Sequence, residues 1–130
     1  MKNILRAVIG IVLVLSLASP ALASYQGYPY FSISAVVEDQ TVTIQAYNFP
    51  ANDTFRVTMG YYGSYGIGGV VVAFTNSGSG GSFTASYDIP STLSGQYRIA
   101  IRLQSPTSGY YAYNWFYNNT TGGTTPPPPQ

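Results

Sequence analysis

The side chains best suited to acid–base or metal chemistry in this sequence are four carboxylates. The chain contains no histidine and no cysteine, which excludes Ser-His-Asp and Cys-His nucleophiles and histidine-ligated zinc. A glycosidase needs two carboxyl groups that face each other, and clustered carboxylates are preferred ligands of calcium. The four carboxylates are Glu38, Asp39, Asp53 and Asp88.

The positions of these carboxylates argue against catalysis. Asp53 lies in a predicted loop at one end of the domain, and the other three are expected at the opposite end. A two-carboxylate active site is therefore not predicted. Glu38, Asp39 and Asp88 form a candidate calcium site, with solvated turn residues and a cap as the alternative. We expect neither enzyme activity nor a cofactor.

The last predicted strand could bind a partner without catalysing a reaction. Residues 110–117 alternate between two faces, and one face carries four large rings. If the apolar residues of the third and sixth strands point inward, the three arginines that alternate with them point outward. Such rings suit stacking on a sugar or packing against a protein partner. The predicted binding residues are Tyr111, Tyr113, Trp115, Tyr117, Arg56, Arg98 and Arg102.

Two alternatives give this strand no binding role. Tyrosine is a good strand former, and an arginine over a tyrosine is a surface contact worth about 0.5–1 kcal/mol. In the second alternative the four rings face the core, and only Tyr110 and Phe116 of the strand are exposed. The direction of the Trp115 side chain decides this point. The Gly- and Tyr-rich segment 60–69 offers a separate set of exposed tyrosines at one end of the domain.

Seven short strands are predicted to position these side chains. Apolar and polar residues alternate with period two in most segments, and residues 70–74 form a continuous apolar run. Turn residues separate the strands at the spacing of a sandwich, so the fold class is an all-β, seven-strand antiparallel sandwich. Inward-pointing residues include Phe31, Ile33, Ala35 and Val37 in the first strand, and Tyr97, Ile99, Ile101 and Leu103 in the sixth.

Both ends of the chain are predicted to lie outside this sandwich. Residues 1–23 have the positive start, apolar run and Ala-x-Ala site of a secretory signal peptide, with cleavage between Ala23 and Ser24. The apolar run is shorter than the ~20 residues of a membrane span. The domain is predicted over residues 24–118, and the Thr-, Gly- and Pro-rich residues 119–130 as a disordered tail. We expect a secreted or cell-surface protein without a membrane span.

The charge of the processed chain argues against nucleic acid as a partner. Lys2 and Arg6 leave with the signal peptide, and one more carboxylate than guanidinium remains. A nucleic-acid-binding protein normally carries a basic excess that neutralises phosphates. Without cysteine, the exported domain must be held together by its core, which is feasible at this length.

Two segments carry a family resemblance. Residues 48–57, NFPANDTFRV, join the second strand to the third, and residues 88–99, DIPSTLSGQYRI, lead into the sixth. Both resemble the corresponding links in the immunoglobulin-like modules of bacterial secreted and cell-surface proteins. The resemblance implies an immunoglobulin-like sandwich, in which the third, sixth and seventh strands share a sheet, with Tyr97 placed to form a tyrosine corner. The chain differs from antibody domains because it lacks both cysteines and its tryptophan lies in the last strand. Spacers, adhesion units and sugar-binding attachments are the roles implied, by analogy of fold.

Three functions are compatible with these features. The leading hypothesis is a non-catalytic extracellular interaction or adhesion module, which binds a cell-surface glycan or a protein through the aromatic and arginine face. The second hypothesis is a carbohydrate-binding module that uses Trp115 and nearby tyrosines. The third is a self-assembling surface subunit, whose partner is a second copy of the chain.

Overall fold

The computed structural model describes residues 27–121. They form seven strands in two antiparallel sheets, with a 3-10 turn at Ser91–Leu93 and no α-helix in this range. The predicted all-β class with seven strands is confirmed. The strands are β1 (Tyr30–Val37), β2 (Thr41–Phe49), β3 (Thr54–Tyr61), β4 (Val70–Asn76), β5 (Gly81–Asp88), β6 (Arg98–Gln104) and β7 (Tyr111–Tyr117).

The predictions for the two ends fall largely beyond this part of the chain. The signal peptide and residues 122–130 of the tail lie outside the described residues. Between residues 27 and 121, no helix is long and apolar enough to cross a bilayer.

The strands divide into a three-stranded sheet, β1-β2-β5, and a four-stranded sheet, β4-β3-β6-β7. The third, sixth and seventh strands thus share a sheet, as predicted. Paired residues of antiparallel strands point to the same face. The register of β6 with β7 pairs Arg98 with Tyr117, Ala100 with Trp115 and Arg102 with Tyr113. This register alone places the arginines and the rings on one face.

The core lies between the two sheets and is densest in their central strands. A central strand is covered on both sides by neighbours, so its inward side chains lose all contact with water, which stabilises the fold by about 25 cal/mol per Å² of apolar surface. The apolar residues without any exposure come from β2, β3 and β6. They are Val42, Ile44, Ala46, Phe55, Val57, Met59, Ile99, Ile101 and Leu103.

The first strand differs from the predicted alternation. Its pairing with β2 shifts between Ile33 and Ala35, as in a β-bulge. An extra residue in a bulge reverses the faces of the residues that follow it. Val36 is therefore 3% exposed and Val37 40%, and the prediction that Val37 points inward is wrong.

Tyr97 also lies on the other side of its sheet from the side predicted. β6 begins only at Arg98, and Tyr97 is exposed, with its ring centre 5.2 Å from that of Tyr117. Leu93 of the preceding 3-10 turn is buried. Tyr97 thus belongs to the outer face and is not the buried anchor that the family resemblance implied.

The chain remains hydrogen-bonded to β1 after β7 has ended. The backbone N–H of Thr121 donates to Val36 O over 2.9 Å, and its Oγ1 accepts from Val36 N at 3.1 Å. Thr120 Oγ1 accepts from Glu38 N at 3.0 Å. Asn114 Nδ2 in β7 also donates to Phe31 O. Thr120 and Thr121, which the prediction assigned to the tail, therefore pack with the sandwich.

Candidate functional site

The last strand presents its large rings to solvent. Ala112 and Phe116 are buried in the core, and alternate residues of a strand point to opposite faces. The other set therefore points outward, with the rings nearer the strand start exposed and those nearer its end partly covered. This outward set is Tyr111, Tyr113, Trp115 and Tyr117.

Arg98 stands on β6 among three of the rings that face solvent. Its guanidinium carbon Cζ lies 3.8 Å from the ring centre of Tyr62, and 5.9 Å from those of Tyr97 and Trp115. At these distances the ring faces attract the cation. Within residues 27–121 no side-chain hydrogen bond joins Arg98 to an acceptor. Its position is fixed by stacking, and its N–H donors are not used by these residues.

Arg102, four residues further along β6, already uses two of its five N–H donors. Its Nε donates to Gln104 Oε1 at 2.9 Å, and its Nη1 donates to Tyr65 O at 3.3 Å. Its Cζ lies 4.3 Å from the ring centre of Tyr111. Arg102 therefore holds the Gln104 side chain and the backbone of Tyr65 in place.

Arg56 does not reach the rings. It is exposed on the outer face of β3, paired with Gln104 of β6, and β6 separates β3 from β7. The structure thus brings the four predicted aromatic residues together with Arg98 and Arg102, and leaves Arg56 apart.

The β3–β4 loop, residues 62–69, folds over this face. Thr58 Oγ1 donates to Gly66 O at 2.7 Å, and Gly66 is buried against Arg102. The sequence predicted the loop tyrosines as a separate exposed set at one end of the domain. The structure instead places two of them, Tyr62 and Tyr65, on the rings of β7.

Two ring pairs join this loop to β7. The ring centres of Tyr62 and Trp115 are 5.2 Å apart, and those of Tyr65 and Tyr113 are 5.0 Å apart. Tyr65 has a φ of 56°, a left-handed conformation that costs an L-residue about 1–2 kcal/mol. The ring pair and the hydrogen bond from Arg102 hold this residue in place. Strain of this kind is concentrated at binding and catalytic sites.

A cleft of about 310 Å³ lies between the two ring pairs. Its floor is Ala100, which is 2% exposed although it belongs to the outward row of β6. The hollow exists because alanine is small and its neighbours in that row, Arg98 and Arg102, are large. The volume lies at the lower end of the roughly 300–1,000 Å³ of small-molecule sites. We call this the aromatic cleft; it is lined by Tyr62, Gly63, Tyr65, Ala100, Tyr113, Asn114 and Trp115.

Ala100 was missing from the predicted site. The sequence carried a signal for it, because an Arg-x-Ala-x-Arg pattern in a strand places a small residue between two long ones on one face. What the sequence could not supply was the loop whose residues Tyr62, Gly63 and Tyr65 form the other wall of the cleft.

A wider groove, of about 640 Å³, lies beside β7 at the edge of the sheet. None of its lining side chains is charged, and Tyr113 borders both this groove and the aromatic cleft. A few well-placed polar groups orient a ligand in an otherwise apolar site. No arginine lines the aromatic cleft itself, but Arg98 lies directly behind its wall, with Cζ 3.8 Å from the ring centre of Tyr62 and 5.9 Å from that of Trp115. The cleft therefore has a charged donor beside its rings and is the better candidate. The wider groove is lined by Tyr28, Pro29, Tyr30, Ser108, Gly109, Tyr110, Tyr111, Ala112 and Tyr113.

The three predicted calcium ligands, Asp39 among them, lie away from the cleft. Asp39 Oδ1 accepts hydrogen bonds from Gly95 N at 2.9 Å and Asn118 Nδ2 at 2.7 Å. These bonds favour the charged carboxylate and lower the pKa of Asp39. In the part of the chain that the structure describes, no three acidic, histidine or cysteine side chains are grouped to hold a metal. Asp39 is directed at Gly95 and Asn118, so the structure does not support a calcium site of Glu38, Asp39 and Asp88.

Asp53 lies at the opposite end of the domain from Asp39, and its carboxylate is also hydrogen-bonded to neighbouring residues. Its Oδ2 accepts from the Ser108 hydroxyl at 2.6 Å, and its Oδ1 accepts from the Ser105 hydroxyl at 2.7 Å and from Thr54 N at 2.9 Å. These bonds, the Ser108 bond first, lower the pKa of Asp53. The carboxylate thereby ties the β2–β3 turn to the β6–β7 turn.

Comparison of the chain with known protein families, curated proteins and solved structures finds no match in any of the three.

Proposed function

We propose that this chain is a non-catalytic, carbohydrate-binding adhesion module. The observation that carries the proposal is the aromatic cleft on the outer face of the four-stranded sheet. Tyrosine and tryptophan combine an apolar ring with a polar edge, which suits the C–H faces and hydroxyl groups of a sugar. Tyr113 and Trp115 offer such rings beside a small hollow over Ala100. A sugar ring can enter this hollow, whereas a protein partner usually needs about 800 Å² of contact surface.

The non-catalytic part of the proposal rests on the placement of the acidic groups. No carboxylate is among the residues that line the aromatic cleft. Asp39 and Asp53 are bound by neighbouring donors at the two ends of the domain. A glycosidase needs two carboxyl groups about 5–10 Å apart across its substrate. The cleft is therefore proposed to hold a sugar without cleaving it.

We further propose that the module is of immunoglobulin-like type and is exported to the cell surface or the medium. The division of β1, β2 and β5 from β3, β6 and β7 is the division of immunoglobulin-like sandwiches. β4 pairs with β3, whereas in the constant type the fourth strand pairs with the fifth. Export is proposed from the signal-peptide pattern of residues 1–23.

A glycan array tests the binding proposal. The processed protein is applied beside the variant Trp115→Ala, which removes one wall of the aromatic cleft. The control is Phe74→Ala, which removes an exposed ring from β4, outside the cleft. Binding that is lost in Trp115→Ala and retained in Phe74→Ala supports the proposal. Absence of binding to every glycan, or equal loss in both variants, would contradict it.

Self-assembly is a second candidate, favoured by the free edge of β4. Val70, Val71 and Phe74 are exposed there, Phe74 by 64%. Proteins usually protect such edges with charged residues or proline, and Val70–Asn76 contains neither. A bulge in its pairing with β3 is the one protective feature of this strand. The partner in this case is the β4 edge of a second copy.

Sedimentation velocity over a range of concentrations tests this second candidate. Val71→Lys places a charge on the edge and is expected to abolish association, whereas Trp115→Ala leaves the edge intact and serves as the control. A wild-type chain that stays monomeric at every concentration would rule out self-assembly through this edge.

A further inference from the structure

We infer that the aromatic cleft selects an acidic carbohydrate and that Arg98 binds its carboxylate. The inference rests on the proposed function and adds to it the class of ligand and the residue that recognises it.

The outer face of the four-stranded sheet carries positive charge that no carboxylate on that face neutralises. Arg98 and Arg102 stand on β6, and Arg56 on β3. All the acidic residues of the sequence lie elsewhere, in the β1–β2 and β2–β3 turns and at the end of β5 in the other sheet. A surface of one charge sign attracts ligands of the opposite sign. A ligand for this face is therefore expected to be anionic.

Arg98 is the arginine equipped to bind the anion. Arg102 donates to Gln104 and Tyr65, whereas Arg98 makes no side-chain hydrogen bond within residues 27–121. Arginine presents its donors as a planar fork that matches the two oxygens of a carboxylate. The Tyr62 ring, 3.8 Å from Cζ, holds the guanidinium by stacking on it.

The position of Arg98 fits a carboxylate attached to a ring in the cleft. Arg98 and Ala100 are two residues apart on one face of β6, which is about 7 Å along a strand. Arg98 does not line the cleft, but its guanidinium stacks on Tyr62, which does. A carboxylate that projects from a sugar ring past the edge of Tyr62 is therefore placed to meet Arg98. The pairs Tyr62–Trp115 and Tyr65–Tyr113 bound the hollow at its Arg98 and Arg102 ends, which favours a compact ring over an extended acidic peptide.

A pair of polymers that differ only in charge tests the inference. Polygalacturonate carries a carboxylate on every sugar, and its fully methyl-esterified form has the same backbone without the charge. We expect the wild-type protein to bind the acid more tightly than the ester by isothermal titration calorimetry, with an affinity that falls as salt is added.

Three arginine variants identify the group responsible. Arg98→Gln is expected to lower the affinity for polygalacturonate by about tenfold or more, since hydrogen bonds to charged groups contribute about 1.5–3 kcal/mol. Its affinity for the ester should fall by a clearly smaller factor, because the ester has no carboxylate to lose. Arg98→Lys keeps the charge without the planar fork and should lie between the two. Arg56→Gln, the matched control, removes the same charge outside the cleft and should leave both affinities close to wild type.

The possible results distinguish a failure of this inference from a failure of the proposed function. If Arg98→Gln weakens both polymers equally, Arg98 only supports the Tyr62 ring, and the inference fails while carbohydrate binding stands. If the array shows binding to neutral glycans alone, the inference fails in the same way. Equally tight binding of poly-L-glutamate would make the ligand an acidic polypeptide and overturn the inference. If neither these polymers nor any glycan on the array is bound, the proposed function itself is wrong.

Discussion

Gly66 approaches Arg102 so closely that no side chain fits between them. A Cβ built on Gly66 would lie 2.5 Å from Arg102 Cβ and 3.0 Å from Arg102 N. The φ of Gly66 is 74°, in the left-handed region that glycine adopts freely. This contact seats the β3–β4 loop on β6 and thereby brings Tyr62 and Tyr65 to the rings of β7.

We expect Gly66→Ala to lift the loop from the sheet. Gly68 is the matched control, because its φ is 70° and nothing lies within 4 Å of its Cβ position. Gly68→Ala should therefore lower the free energy of unfolding only by the cost of placing alanine in the left-handed conformation, about 1–2 kcal/mol. Gly66→Ala should lose a further 1–3 kcal/mol or so from overpacking. Urea unfolding gives the free energies, and near-ultraviolet circular dichroism reports the ring pairs; equal losses in both variants would contradict the tight contact.

The pattern of apolar residues predicted the inward side chains of the core strands, but not the bulge in β1 or the residue at which β6 begins. Strict alternation of apolar residues correctly placed Val57, Ile99 and Leu103 inward, because in a central strand burial on one face dominates every other preference. Val37 was misplaced because a bulge has no signal in the pattern of apolar residues. Tyr97 was misplaced because a strand start one residue later than predicted leaves a tyrosine free to join the outer rings.

Of the cleft, the sequence predicted Tyr113 and Trp115 but neither Ala100 nor the loop residues that complete it. The alternation of residues 110–117 leaves two possible directions, and a set of large rings suits either the core or a binding face. Ala112 and Phe116 occupy the inward positions, where the space between the sheets accepts one small and one large residue. The fold of the β3–β4 loop over Ala100 depends on contacts between residues distant in sequence, such as Gly66 with Arg102, which no local pattern encodes.

Asp39 is expected to make stability depend on pH in the acid range. Its pKa is lowered in the folded state by the Gly95 and Asn118 hydrogen bonds. Its stabilising contribution is therefore complete above the unfolded pKa of about 3.9 and is lost as the pH falls through the lower folded value. Asp39→Asn should lower the melting temperature at neutral pH, and its difference from wild type should shrink on acidification.

The Asp39 variant tests charge rather than backbone shape. The φ of Asp39 is 60°, and asparagine tolerates this left-handed conformation as well as aspartate does. The control is Asp88→Asn, which removes a carboxylate at the exposed end of β5. A melting-temperature difference between wild type and Asp39→Asn that is the same at every pH would show that the carboxylate charge contributes nothing.

Tyr87 is expected to link the two sheets through its hydroxyl group. The hydroxyl lies 2.7 Å from Thr75 Oγ1, and Tyr87 belongs to β5 whereas Thr75 belongs to β4 of the other sheet. Tyr87→Phe removes this bond and leaves the Thr75 hydroxyl without it, at an expected loss of about 1–2 kcal/mol in the free energy of unfolding. Tyr61→Phe, at an exposed tyrosine, should change it little.

Tyr87 is also expected to affect stability in alkali. Burial raises its pKa, and the bond to Thr75 offsets this in part. A raised folded pKa contributes stability that is complete below the unfolded value of about 10 and is lost as the pH rises through the folded one. Alkaline melting curves of wild type should therefore fall more steeply than those of Tyr87→Phe. Parallel curves would show that Tyr87 ionises as readily in the folded chain as in the unfolded one.

Thr120 and Thr121 are expected to stabilise the folded domain. Thr120 and Thr121 hydrogen-bond to the backbone of Val36 and Glu38, and each such bond contributes about 0.5–1.5 kcal/mol. A chain truncated after Asn118 loses these bonds and frees the end of β1, so its free energy of unfolding should fall by roughly 1–3 kcal/mol. A chain truncated after Thr121 keeps them and should be more stable in urea unfolding than the chain truncated after Asn118. Equal stability of the two truncated chains would place the boundary at Asn118, where the composition alone predicted it.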